Sequence, residues 1–266
     1  PPLNVQGMSS TPIRRKLSDL RKLLTRPESA LAHEGIPLNT PEVGMRFMIP
    51  SKGADGWKEL LADPGLHWVV GRSARTLAHC WEDARGWPAE IPEMLAGVPQ
   101  LAGFRPLFGF PELKTPLPGR RRETQTDLFV VAGKGSSTMA MAIEGKVDET
   151  FGPLVSEWLG EDPAPGKVER LSYLSGLFGV DETLLSEIRY QLVHRTAAAK
   201  IEANRIGSDV AGMVVHSWGG KDEGFADFSV FARLLGISPG VGTISYSTVS
   251  DLWLGWAVGD PKYLRA

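Results

Sequence analysis

The sequence predicts an α/β domain in which helices flank a mixed central sheet, with extra helices toward the N-terminal side. Three observations predict it. Gln125 to Glu149 (QTDLFVVAGKGSSTMAMAIEGKVDE) reads as two apolar strands around a glycine-rich turn. Asp181 to Arg205 carries apolar residues at helical spacing. Val210 to Trp218 (VAGMVVHSW) is an apolar run of strand length directly after that helix.

Taken in order, the chain begins basic and then becomes proline-punctuated. Ile13 to Leu24 is amphipathic and suits a lone helix. Residues 1–44 are expected to form an arm, and residues 45–266 a single domain. MRFMIP from Met45 suits a short strand, and Trp57 to Pro64 a short helix ended by proline. Ser73 to Gly86 is a clearer helix: Ser73 caps it, Leu77, Ala78 and Trp81 form its apolar face, and Gly86 ends it. Ala89 to Gly97 adds a helical turn. Phe104 to Gly119, with its prolines, suits an irregular edge strand. Helices are expected over Phe151 to Gly160, Val168 to Gly179 and Phe225 to Gly236, and a late strand over Leu252 to Asp260. The eight tryptophans are scattered, which fits core packing rather than a base-stacking platform.

The hairpin carries the chemistry. GKGSS (Gly133 to Ser137) supplies a turn with two glycines free to take positive φ. With the turn centred near Gly135 and Ser136, Asp127 lies opposite Glu144 and Gln125 opposite Lys146. Opposed residues have Cβ atoms roughly 5 Å apart. Side chains alternate along a strand, so Glu144 and Lys146 share a face. Two carboxylates that close repel unless a cation or a proton lies between them. A hard cation such as Mg²⁺ takes oxygen ligands and keeps waters, one of which can become a nucleophile. A lysine beside it can orient that water or neutralise charge building on a phosphate. The bland alternative for a Glu-x-Lys triplet is a solvated strand face.

The bulk composition narrows the classes. A chain of 266 residues with 42% apolar and 23% charged residues suits a globular domain with a sizeable core. No stretch of about 18 apolar residues occurs, so no transmembrane helix is expected. The N-terminal region lacks a signal pattern, and the single Cys80 fits a reducing cytoplasm. The net charge of −2 weighs mildly against a protein that coats nucleic acid. Arg120, Arg121 and Arg122, with Arg189, Arg195, Lys200 and Arg205, are candidates for a local phosphate-attracting rim. No P-loop, dinucleotide glycine fingerprint, nucleophile elbow or His-Glu-x-x-His helix occurs.

The hairpin resembles that of the PD-(D/E)XK nuclease superfamily, whose members place an acid on one strand and acid-x-Lys on the next. Asp127 matches the first acid, Glu144 the second and Lys146 the lysine, while Thr126 stands at the proline of the family name. The resemblance implies a restriction-endonuclease-like αβββαβ core from roughly Pro50 onward. It implies Mg²⁺ or Mn²⁺ held by Asp127 and Glu144, and a nucleic-acid substrate. It points to a bacterial branch and names no substrate within that class. Some branches carry Gln-x-x-x-Tyr on the helix after the hairpin. Gln191 matches the glutamine and Arg195 replaces the tyrosine. The first core helix sometimes lends an acid, for which Glu82 is the candidate. Gln125, His194 and Arg195 are the expected supporting or phosphate-contacting residues, and His216 a core or edge histidine. The expected function is a metal-dependent nuclease. The alternative is an inactive binding or assembly module on the same fold. Oligomeric state stays open, a homodimer included.

Overall fold

The computed structural model describes residues 45–48, 53–119, 123–219 and 222–266. The expected N-terminal arm and its helix, and the arginines 120–122, lie outside the described residues. A short strand β1 (Arg46–Phe47) is followed by helical turns at Ala54–Trp57, Lys58–Leu60 and Pro64–His67. Then come α1 (Ser73–Ala84), α2 (Glu90–Ala96), β2 (Arg105–Thr115), β3 (Thr124–Lys134) and β4 (Ser137–Lys146). The chain continues through α3 (Val155–Leu159), α4 (Pro165–Phe178), a 3₁₀ turn (Glu182–Leu185), α5 (Tyr190–Ile206) and β5 (Val210–Ser217). It ends with α6 (Asp222–Leu234), β6 (Thr243–Ser247), β7 (Leu252–Val258) and a 3₁₀ turn at Pro261–Arg265.

The strands make one mixed sheet in the order β1-β2-β3-β4-β5-β7-β6. β2, β3 and β4 form an antiparallel meander, and β4, β5 and β7 run parallel. The sheet separates two cores. Met213 and Val214 are neighbours in β5, yet Met213 packs with α4, α5 and α6 while Val214 packs with α1 and α2. β4 is apolar on both faces up to Ile143, as a central strand between helical layers must be. Leu77, Trp81 and Ile91 fill one layer and Phe178, Leu192 and Phe231 the other, all essentially without solvent contact.

Three expectations need correcting. The helix expected from Asp181 is divided. Asp181 instead accepts from the Thr183 amide to cap the 3₁₀ turn, and Leu184, one of the apolar residues at helical spacing in that stretch, is exposed. The reason is backbone competition: residues 186–190 pair with residues 153–156, through Ser156 N–H to Ser186, Val155 N–H to Ile188 and Tyr190 N–H to Pro153. Those groups are lost to a helix, so α5 begins at Tyr190. Second, Pro64 opens a helical turn capped by Asp63 rather than closing one. Third, β2 is a continuous eleven-residue strand despite Pro106 and Pro111. Its outer neighbour β1 pairs only with Phe108 and Gly109, so β2 is close to an edge, and its register shifts between Pro106 and Phe108. β6 was not foreseen from the sequence.

Candidate active site

The β3–β4 register runs from Lys134 opposite Ser137 to Leu128 opposite Ile143. The next pair in that register is Asp127 and Glu144, as the sequence predicts. The ladder gives way there, and the Gly145 N–H donates to Asp127 Oδ2 at 2.9 Å. α1 packs against this point of β4, where a Cβ on Gly145 would meet the Leu77 side chain at an ordinary contact distance of 3.4 Å. Glu144 and Lys146 both face α5, and they are 2% and 6% exposed. The first turn and a half of α5 lays Gln191 and Arg195 over them, four residues apart on one face.

These side chains bond in a closed pattern. Gln191 Nε2 donates to Glu144 Oε1 at 2.6 Å, and Lys146 Nζ donates to Gln191 Oε1 at 2.9 Å. The Gln191 amide orientation is thereby fixed by a carboxylate at one end and an ammonium at the other. Lys146 Nζ also lies 3.1 Å from Glu144 Oε1 and stands over the Phe151 ring. Arg195 Nε donates to Glu144 Oε2 at 2.7 Å, and its Nη2 reaches Asp127 Oδ1 at 3.5 Å.

The structure adds a carboxylate that sequence reasoning missed. Glu112 falls between the β2–β3 pairs Pro111–Leu128 and Leu113–Thr126, so it lies opposite Asp127. Glu112, Asp127 and Glu144 thus form a row across three strands. Glu112 takes a φ of 54°, a left-handed value uncommon outside glycine. Gln125 Nε2 donates to Glu112 Oε2 at 2.7 Å and reaches the Leu60 carbonyl at 3.4 Å, so Gln125 supports the third acid rather than Lys146. Burial and then the Glu144 charge push Asp127 up to about 7, against Arg195 and Lys146. Burial and then the Asp127 charge push Glu112 up to about 8. Three acids face two cations here, and the shortage of positive charge shows as held protons.

The cluster floors a cleft of about 690 Å³, bordered by Arg72, Ser73, Glu149, Tyr190 and His194. Burial pushes the Glu149 carboxyl up, but the Ser73 and Val147 amides that it accepts outweigh this and hold it low. His194 lines the cleft with Nδ1 on the Thr124 hydroxyl at 2.7 Å. Burial, then Arg195, Arg170 and Lys146, lower its pKa well below the usual value, so it is neutral at pH 7.

Other expected residues lie elsewhere. Glu82 does not line the cleft: it sits on α1, across the sheet from α5, and accepts from Trp57 Nε1 at 2.8 Å. A glutamate nine residues into α1 is too far from the end of that helix that meets the cleft. The helical part of the basic rim is engaged within the chain. Arg189 bonds Asp227 and the Gly152 carbonyl, Lys200 the Ser250 carbonyl and Arg205 Glu202.

A second cluster gathers Cys80, Glu90 and His216, with ligand-type atoms within 4.8 Å of one another. Its hydrogen bonds argue against a cation. Trp81 Nε1 donates to His216 Nδ1 at 3.1 Å, so the ring proton is on Nε2, which donates to Glu90 Oε1 at 2.6 Å. A metal at Nε2 would force a proton onto Nδ1, facing the Trp81 donor. His216 is therefore the satisfied core histidine that the sequence suggested, and it is fully buried.

Fold and site together define an α/β protein whose mixed sheet presents carboxylates and a lysine, and whose helix α5 presents a glutamine and an arginine, to one cleft. The chain belongs to the family described as "Domain of unknown function (DUF6946)", which matches residues 50–261. No curated protein and no solved structure matches it. Among the described residues, no helix is long and apolar enough to cross a membrane.

Proposed function

We propose that this protein is a metal-dependent nuclease that hydrolyses phosphodiester bonds of nucleic acid on a restriction-endonuclease-like core. The observation that carries the reading is the convergence of Asp127, Glu144, Lys146 and Gln191 at the floor of one cleft. The order α1, β2, β3, β4, α5, β5, with β5 parallel to β4, agrees with the αβββαβ plan. A donor set of hard carboxylate oxygens with raised affinity for protons suits Mg²⁺ or Mn²⁺, which Asp127 and Glu144 would hold. When bound, such a cation polarises a phosphoryl oxygen and makes hydroxide available near neutral pH. Lys146, held by Gln191 and Glu144, offers a fixed ammonium to the charge that grows on the phosphate. Gln191 orients both groups. Neither membrane association nor a disulfide enters this reading, and a reducing cytoplasm suits the buried Cys80 thiol.

The test is cleavage of DNA and RNA substrates with Mg²⁺ or Mn²⁺ by the wild type, Asp127→Ala and Lys146→Ala. The reading expects cleavage by the wild type and none by either variant, with far-ultraviolet circular dichroism unchanged. A wild-type rate in either variant ends it. One observation favours a second reading, a binding or assembly module without turnover: Arg195 already contacts both acids. Manganese titration separates the two, because a ligand of the native state raises its melting temperature. No shift at millimolar Mn²⁺, together with no cleavage, favours the module.

A further inference from the structure

We propose that Arg195 is a resident cation standing on the metal position, which the metal displaces and which then faces the cleft to bind the substrate phosphate. The proposal rests on the metal-dependent reading above. Its basis is the saturation of Glu144. Oε1 takes bonds from Gln191 and Lys146, and Oε2 takes one from Arg195. Gln191 and Lys146 also bond each other, so they hold Oε1 as a unit. The Arg195 bond stands apart from that unit, and Oε2 is the oxygen that it covers. The same guanidinium spans to Asp127, the other acid that would bind a cation. Arg195 thus contacts both carboxylates that would hold a divalent ion.

A guanidinium and a divalent ion cannot share that position, because like charges a few ångströms apart in a partly buried site repel by several kcal/mol. The exchange is sterically open. The stem of Arg195 is long and flexible, the cleft beside it has about 690 Å³, and Glu112 offers an oxygen that takes no hydrogen bond among the described residues. Leaving Glu144, the planar fork points into the space where a phosphate would meet the ammonium of Lys146, and a guanidinium suits two phosphate oxygens at once. Metal binding thereby completes the anion site.

The experiment measures Mn²⁺ alone by isothermal titration calorimetry on the full chain, for the wild type, Arg195→Lys and Arg195→Gln. Arg195→Gln should bind Mn²⁺ at least about tenfold more tightly than the wild type, the scale of one removed close charge. Arg195→Lys, which keeps a charge but loses the double reach, should fall between them. The rise in melting temperature on adding Mn²⁺ should follow the same order. A gain of affinity is not something that a merely structural loss produces. Equal or weaker binding by Arg195→Gln, with the wild type binding, overturns the proposal and leaves the metal reading intact. If Arg195→Gln does not fold, Arg195→Lys carries the comparison: tighter binding than the wild type supports the proposal, and equal or weaker binding overturns it. No binding to any of the three at millimolar Mn²⁺ overturns the metal reading, and the proposal with it.

Discussion

Asp127 accepts the amide of Gly145 at the point where the β3–β4 ladder stops. One carboxylate thus has two tasks: Oδ2 replaces a backbone acceptor, and Oδ1 faces Arg195. Asparagine keeps the acceptor and drops the charge, whereas alanine drops both. Asp127→Ala should lose about 1–3 kcal/mol of stability, the cost of a partly buried donor left unmet. Asp127→Asn should lose less than half of that, and both variants should lack cleavage. Urea unfolding with a cleavage assay reads both effects. Equal destabilisation by the two variants would show that the Gly145 bond contributes little.

The row of acids makes stability depend on pH. Asp127 and Glu112 keep their protons up to about pH 7 and 8, while the unfolded chain releases them near ordinary carboxylate values. Between those limits the native state binds more protons at these two acids, whereas the lowered His79, His194 and His216 bind fewer below about pH 6.5; above it the acids act alone, so stability falls as pH rises from about 7 to about 8. Glu112→Gln should flatten the upper part of that fall, and saturating Mn²⁺ should reverse it, since the cation competes with the protons. Melting temperatures across that range, with and without Mn²⁺, check the sign. A metal-free protein that gains stability over the same range would contradict the cluster's electrostatics.

Lys146 is buried, and its ammonium has Glu144, Gln191 and the Phe151 ring around it. Lys146→Met preserves the apolar stem and removes the charge. It leaves Glu144 with Arg195 and Gln191 and strands the Gln191 carbonyl. The expected loss is about 3 kcal/mol of stability, typical of a broken buried pair. Cleavage should fall at least about a hundredfold, the scale of a lost charge-stabilising group. The melting temperature and a single-turnover rate report the two losses separately.

Local pattern made the hairpin legible. Two glycines fixed the turn, and a period of two then placed Asp127 opposite Glu144, so that one register choice settled both acids and the lysine. Helical spacing put Gln191 and Arg195 on one face, and the resemblance singled them out as site residues, even though α5 starts later than expected. Glu112 was out of reach for a physical reason. It joins the site through the β2–β3 register, fifteen residues away in sequence, and its strand looked broken by prolines that a near-edge position tolerates. The division before α5 was equally hidden, because it depends on pairing with residues 153–156 rather than on any local breaker. The basic rim was misread in the same way: Arg189, Lys200 and Arg205, candidates for phosphate in sequence, have partners within the chain.

The chain Trp81–His216–Glu90 gives a control that leaves the cleft alone. Trp81 supplies the one donor to His216 Nδ1, in a site without solvent. Trp81→Phe removes that donor and should destabilise by at least about 1–3 kcal/mol, the cost of a stranded buried acceptor plus lost packing. Burial, only partly opposed by Glu90, keeps the His216 pKa below its usual value, so this core destabilises further as acid forces a charge onto the ring. Cys80→Ala removes a buried sulfur that has no part in that chain of bonds and should cost about 1 kcal/mol. Neither substitution should change Mn²⁺ affinity, since the carboxylates that matter lie across the sheet on the α5 side. Zn²⁺ titrations of the wild type and Cys80→Ala complete the argument: the two should coincide. A tenfold weaker Zn²⁺ affinity in the variant would mean that the His216 proton does leave Nε2 and that these three residues hold a metal after all.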